Sequence, residues 1–205
     1  MSDAVYFQPL AAAETSLEIK KSRFIASALP VKSELAARQF IQYHKTLTPS
    51  AHHHCSAYII GAPALSQQFA YNDDGEPAGT AGKPMYQVLY GQNVGDICVV
   101  VTRFFGGVKL GTGGLARAYA DCTKAVMEQL SLQQVLPSCE LKLTYAYTHS
   151  AAIDALLHNA NISILNSNYA EAITLCVRLP VTEVDSLITD LNQRTSGEIN
   201  IKKQP

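Results

Sequence analysis

Apolar and polar positions change rhythm several times along this chain, and each rhythm predicts an element. Residues 1–14 read as a loose arm, and Leu17 to Ala28 as two short strands around Lys20-Lys21-Ser22. Ser33 opens a helix over about 33–46, with Ala36, Phe40 and Ile41 spaced toward a core. Cys55–Gly61 and Gln68–Tyr71 predict paired strands across a Gly-Ala-Pro-Ala turn, and a helix over about 84–91 follows a loop from Asn72 to Pro84. Ile97–Val101 is an unbroken apolar run of strand length, which predicts a strand covered on both faces. Leu115, Ala118, Tyr119, Cys122, Ala125 and Val126 then keep helical spacing to about Leu130.

Leu132–Ser138 reads as a linker, dividing a domain over 1–135 from one over 136–205. Beyond it the rhythm becomes regular. Glu140–Ala146 alternates, 149–160 is helical, Ile162–Ala170 and Ala172–Leu179 form a hairpin, Thr182 caps a second helix, and Glu198–Lys202 is a last strand. The order β-α-β-β-α-β is the split, ferredoxin-like arrangement, so the fold class is α+β.

Composition narrows the partners. With 47% apolar and 16% charged residues in 205, the chain has an ordinary globular profile. Its net charge of −1 gives no global pull toward nucleic acid or anionic membrane, so polyanion binding would need a local patch. The five cysteines are odd in number and scattered, without a C-x-x-C, which suits a reducing compartment. The first residues lack a cationic start and a long apolar core, and no run approaches the ~18 apolar residues of a membrane span. These features lead us to expect a cytoplasmic protein with no membrane partner.

Four segments carry candidate chemistry. Gly106, Gly107, Gly111, Gly113 and Gly114, five of twelve glycines, precede a helix and stand among Arg103, Phe104, Phe105, Lys109, Thr112 and Arg117. A helix start with bare amides and nearby cations can hold an anion, and aromatics beside cations suit looped or single-stranded RNA. The plainer alternatives are a tight turn, aromatics packed in the core, and an Arg117–Asp121 pair. The run fails the Walker A and dinucleotide fingerprints. The second segment, Asn72 to Pro84, places Asp73, Asp74 and Glu76 close together, which could hold Mg²⁺ or simply cap backbone amides. Its Gly79, Thr80, Gly82 and Lys83 suggest a second helix-start anion site. Third, His52-His53-His54-Cys55 offers a weak metal set or a Cys–His nucleophile, against a plain strand entry or a polar site around His53 and His54. Fourth, Lys20, Lys21 and Arg23 form a basic turn that enlarges a cationic face if it folds near Lys109.

Taken together, Lys20–Ile25, His53-His54-Cys55, Asp73–Pro84, Arg103–Gly107 and Leu110–Leu115 resemble the IMPACT family, and within it the bacterial two-domain YigZ type. Where bacterial relatives usually carry Arg-Tyr-Tyr or Arg-Tyr-Phe, this chain has Arg103-Phe104-Phe105, without those hydroxyls. The resemblance implies an N-terminal βαββ-type domain, like the second domain of a small-subunit ribosomal protein and domain IV of elongation factor G. It implies a ferredoxin-like C-terminal domain similar to that factor's last domain. Eukaryotic members act in translational control through protein contacts. For bacterial members the resemblance implies a nucleic-acid or ribosome-linked role and no established reaction. The expected function is therefore non-catalytic binding of RNA or the ribosome, with no cofactor. The alternatives are a Mg²⁺-dependent enzyme on a phosphorylated or nucleotide ligand, and a protein-interaction adaptor.

Overall fold

The computed structural model describes residues 4–160 and 162–204. The chain divides into two compact units, Ala4–Val135 and the residues from Leu136 onward.

The first unit runs β1 (Tyr6–Pro9), β2 (Ala13–Ile19), β3 (Ser22–Pro30), α1 (Glu34–Leu47), β4 (His53–Ile59), β5 (Phe69–Asn72), α2 (Gly82–Gly91), β6 (Ile97–Phe104), α3 (Thr112–Met127) and β7 (Leu132–Val135). Its main sheet has the order β2-β3-β6-β4-β5, with every neighbouring pair antiparallel. The central strand β6 is covered on both faces, as its apolar run requires. Ile97, Val99 and Val101 join a core with Met85 and Leu89 of α2 and Tyr119 and Cys122 of α3, while Cys98 and Val100 pack with Ala37 of α1. Successive strand residues alternate faces, so the unit is three layers deep, α1, sheet, then α2 and α3. Ser33 caps α1 through the Ala36 amide, as its position predicts.

Three expectations need correction here. The described part of the supposed N-terminal arm is structured: β1 pairs with β7, and β2 starts at Ala13. Residues 1–3 of that arm lie outside the described residues. The supposed linker is mostly strand, with Leu132–Val135 in β7 and Ser138 already in β8. Finally β6 does not stop at Val101 but runs on to Phe104, which puts Arg103 on a central strand.

The second unit runs β8 (Ser138–Tyr145), α4 (Ser150–Asn159), β9 (Ser163–Tyr169), β10 (Ile173–Pro180), α5 (Val184–Arg194) and β11 (Asn200–Gln204). The sheet order β11-β8-β10-β9, antiparallel throughout, is the ferredoxin-like arrangement. Leu141, Leu143, Leu175 and Val177 share one buried face with Ile153, Leu157 and Leu191 of the helices. The capping expected of Thr182 is absent. Val181–Glu183 forms a 3-10 turn, and α5 starts without a side-chain cap.

Candidate functional site

The sequence pattern that buries Val99 and Val101 also buries Arg103, because residues two apart on a strand share a face. Arg103 is only 5% exposed, on the face covered by α2 and α3. Its guanidinium lies between the rings of Phe24 and Phe105, 5.4 and 5.5 Å from their centroids. Nη1 donates to Glu76 at 2.6 Å, and Nη2 reaches Ser22 at 3.5 Å. Glu76 is itself buried and accepts a second bond from the Tyr119 hydroxyl at 2.8 Å. A buried charge needs its partner, and here both charges have one. Arg103 therefore departs from the expectation of an exposed cation. It anchors the acidic loop to the sheet, with Phe105 as a half-exposed lid over it.

The acidic loop spends its carboxylates on the protein. Asp73 accepts from the amides of Gly79, Ala81 and Gly82 at 2.8, 2.9 and 2.8 Å, filling the N-terminus of α2 with the chain's own anion. Asp74 accepts from Lys45 and from the His54 amide. Burial pushes the Asp74 carboxyl up, but Lys45 and that amide outweigh it and hold it below the ordinary value. Asp73, Asp74 and Glu76 thus point to three different sets of donors. Among the described residues no group of three or more His, Cys, Asp or Glu is placed to hold a metal ion. The second helix-start anion site around Gly79, Thr80, Gly82 and Lys83 is accordingly already filled. Thr80 is buried with its hydroxyl on the Pro77 carbonyl, and Lys83 is exposed beside it.

The histidine run serves the same end of the sheet. His54 is buried between Thr102 and the Thr48 carbonyl, and burial lowers its pKa. His53 contacts the Asp74 carbonyl through Nδ1 at 2.8 Å, so Nδ1 carries the proton; Nε2 stands 3.9 Å from Glu76. His52 Nδ1 accepts the Phe105 amide. Cys55 is fully buried and donates to the Asp73 carbonyl, and burial pushes its thiol well up. A thiol held protonated cannot serve as the nucleophile weighed above.

The glycine loop is finished at one end and open at the other. Gly106 lies against the β2–β3 turn. A Cβ there would meet the Lys21 carbonyl oxygen at 1.8 Å, and its amide reaches Ser22. The basic turn of Lys20 and Lys21, both at positive φ, is thereby packed beside the loop, with exposed Arg23 opposite Phe104 in register. At the other end Gly111 (φ 74°) is the N-cap of α3 and offers no side-chain cap. Among the described residues nothing accepts from the amides of Thr112, Gly113 and Gly114; the first bonded amide of the helix is Leu115. They border a cavity of about 480 Å³ whose wall includes His53, Glu76, Arg103, Phe105, Lys109 and Leu110. Lys109 is exposed there. Arg117 is exposed further along α3 and is not the partner of Asp121, which pairs with Lys124.

The structure thus gathers His53, Glu76, Arg103, Phe105, Lys109 and the α3 start around one cavity, with Lys20 and Lys21 behind Gly106. It assigns Asp73, Asp74, His54 and the α2 start to internal bonds. Two contributors escape sequence reading. Tyr119 has helical core spacing and no outward sign of its bond to Glu76, and Ser22 looks like an ordinary turn residue.

Residues 20–127 match the family model described as the Impact N-terminal domain, and 143–198 match a domain of unknown function (DUF1949). The chain is 41% identical to the IMPACT family member YigZ of Escherichia coli over 184 residues, 90% of each chain. It is 37% identical to the IMPACT family member YvyE of Bacillus subtilis over 201 residues, 97% of this chain and 90% of that one. A solved crystal structure described as that of a hypothetical protein superposes with a TM-score of 0.72 at 40% identity, covering 96% of each chain. With a matching domain over half its length and relatives of this similarity along nearly all of it, the chain belongs to the IMPACT family.

Proposed function

We propose that this protein is a non-catalytic RNA-binding protein that works with the ribosome in translation control, and that it holds RNA phosphate at the start of α3. The observation that carries the reading is the bare turn of Thr112, Gly113 and Gly114, which borders the cavity with Lys109 on its wall. A helix start concentrates positive potential and presents N–H donors, which is the chemistry a phosphate needs. The exposed basic turn at Lys20 and Lys21 adds local charge that the near-neutral whole chain lacks. The similarity of the two domains to translation-factor domains supports the ribosomal setting. The Mg²⁺ alternative is weaker, because Asp73, Asp74 and Glu76 are each committed to separate protein donors.

The test is titration of labelled single-stranded RNA at low and at moderate salt. Phosphate contacts make binding fall steeply with salt, and Lys109→Ala weakens it with a shallower salt slope. No binding at low salt, or binding untouched by Lys109→Ala together with Lys20→Ala and Lys21→Ala, overturns the proposal.

A further inference from the structure

We infer that the cavity takes a single ribonucleotide carrying a terminal phosphate monoester, with the phosphate on the α3 amides and the nucleoside inside. This rests on the phosphate reading above and names the ligand more narrowly. Three consecutive bare amides match the three terminal oxygens of a monoester; an internal diester offers only two. Lys109 supplies the countercharge on the same wall.

Gly113 supports the same conclusion from another direction. Its backbone is not in the left-handed region, and a Cβ there would meet nothing within 4 Å. Neither packing nor conformation requires glycine at this helical position, where alanine is the better helix former. Bare backbone there leaves room for a group docked against it. Inside the cavity, buried Arg103 keeps one donor, Nε, without an acceptor among the described residues. The remaining wall divides by chemistry. Phe105, Leu110 and Leu115 are apolar and suit the flat face of a base. His53 Nε2, left with a lone pair by the bond at Nδ1, and Glu76, whose contacts fall on Oε1, are acceptors suited to ribose hydroxyls. A volume of about 480 Å³ suits one nucleotide, not a threaded strand.

The experiment compares one short single-stranded RNA with hydroxyl ends, with a 5′-phosphate, and with a 3′-phosphate, alongside free adenosine 5′- and 3′-monophosphates. Binding is followed by anisotropy and by thermal shift. A phosphorylated end should bind about tenfold tighter, the value of one good charge-assisted contact set. That gain should vanish in Gly113→Ala, which stays folded, and a 2′-deoxy terminal nucleotide should lose severalfold affinity in the parent but not in His53→Ala. Equal, salt-sensitive binding of all three RNAs overturns this inference and leaves the RNA reading standing. Binding of the free monophosphates with no binding of any RNA keeps the cavity's ligand chemistry and overturns the RNA reading. No binding of any probe at low salt overturns both.

Discussion

Two helices in the N-terminal unit begin in glycine-rich loops, and they are solved in opposite ways. At α2 the chain supplies its own anion. Asp73 takes the amides of Gly79, Ala81 and Gly82, and its neighbours Asp74 and Glu76 tie the loop to Lys45, His54 and Arg103. At α3 no side chain caps the helix, and Thr112, Gly113 and Gly114 keep bare amides beside a cavity. Electrostatically the two sites ask for the same thing, a negative group at a helix start. The difference is whether folding has already provided it. A filled start reads as architecture and an empty one as a place for a ligand, although both look alike in sequence.

If that contrast is right, damage to the filled side must cost stability. The largest loss is expected for Arg103→Ala, which leaves Glu76 buried without its cation. Removing one partner of a buried pair costs about 3–5 kcal/mol, read as a lower urea midpoint for the N-terminal unit. Arg103→Ala as stable as the parent would make Arg103 a ligand contact and collapse the distinction. Next comes Asp73→Ala, which strands three helix-start amides, two of them part-buried. The expected cost is about 2–3 kcal/mol, with Asp73→Asn roughly half of that. Unchanged stability would show that the α2 start is as open as that of α3.

The sequence shows how much of this could be read in advance. The second unit was legible almost to the residue, because Leu141, Leu143 and Tyr145 alternate cleanly and its contacts are between regular neighbours. The central strand was legible as buried on both faces, but not its phase. An unbroken apolar run hides which residues face which layer, and Arg103 follows Ile97, Val99 and Val101 into the core only by that phase. Its partner Glu76 is 27 residues away, and Tyr119 reaches Glu76 from 43. No local pattern encodes such distances. The glycine loop advertised an anion site correctly in kind, yet the acidic loop advertised one too. Only the placement of Asp73 tells them apart.

The filled side also has a pH signature. Burial lowers the pKa of His54 and of His44, so the fold favours their neutral forms. As pH falls through about 6.5 the unfolded chain takes up these protons first, and stability declines from there toward the lowered folded values. Each proton contributes a slope of at most about 1.4 kcal/mol per pH unit. Asp74, held below its ordinary value, works in the other window: its contribution is present above the unfolded carboxylate pKa, near 4, and is lost as pH falls through the folded one. Urea titrations at pH 7.5, 5.5 and 3.5 should show both declines. His54→Gln should flatten the first and leave the second, and a flat profile between 7.5 and 5.5 would mean that the buried histidines do not hold this end of the sheet.

The smallest effect on stability is the most discriminating. Gly113→Ala adds a methyl where nothing lies within 4 Å, in a backbone that alanine prefers, and should stabilise the chain by about 0.5–1 kcal/mol. Gly106→Ala is the opposite case, since its methyl would drive into the Lys21 carbonyl and must lower the melting temperature. A gain at Gly113 accompanied by weaker RNA binding separates the two roles glycine plays in one loop: backbone contact at Gly106, room for a ligand at Gly113. A loss of stability at Gly113 would mean that the start of α3 is closed by contacts of its own, and the contrast with α2 would disappear.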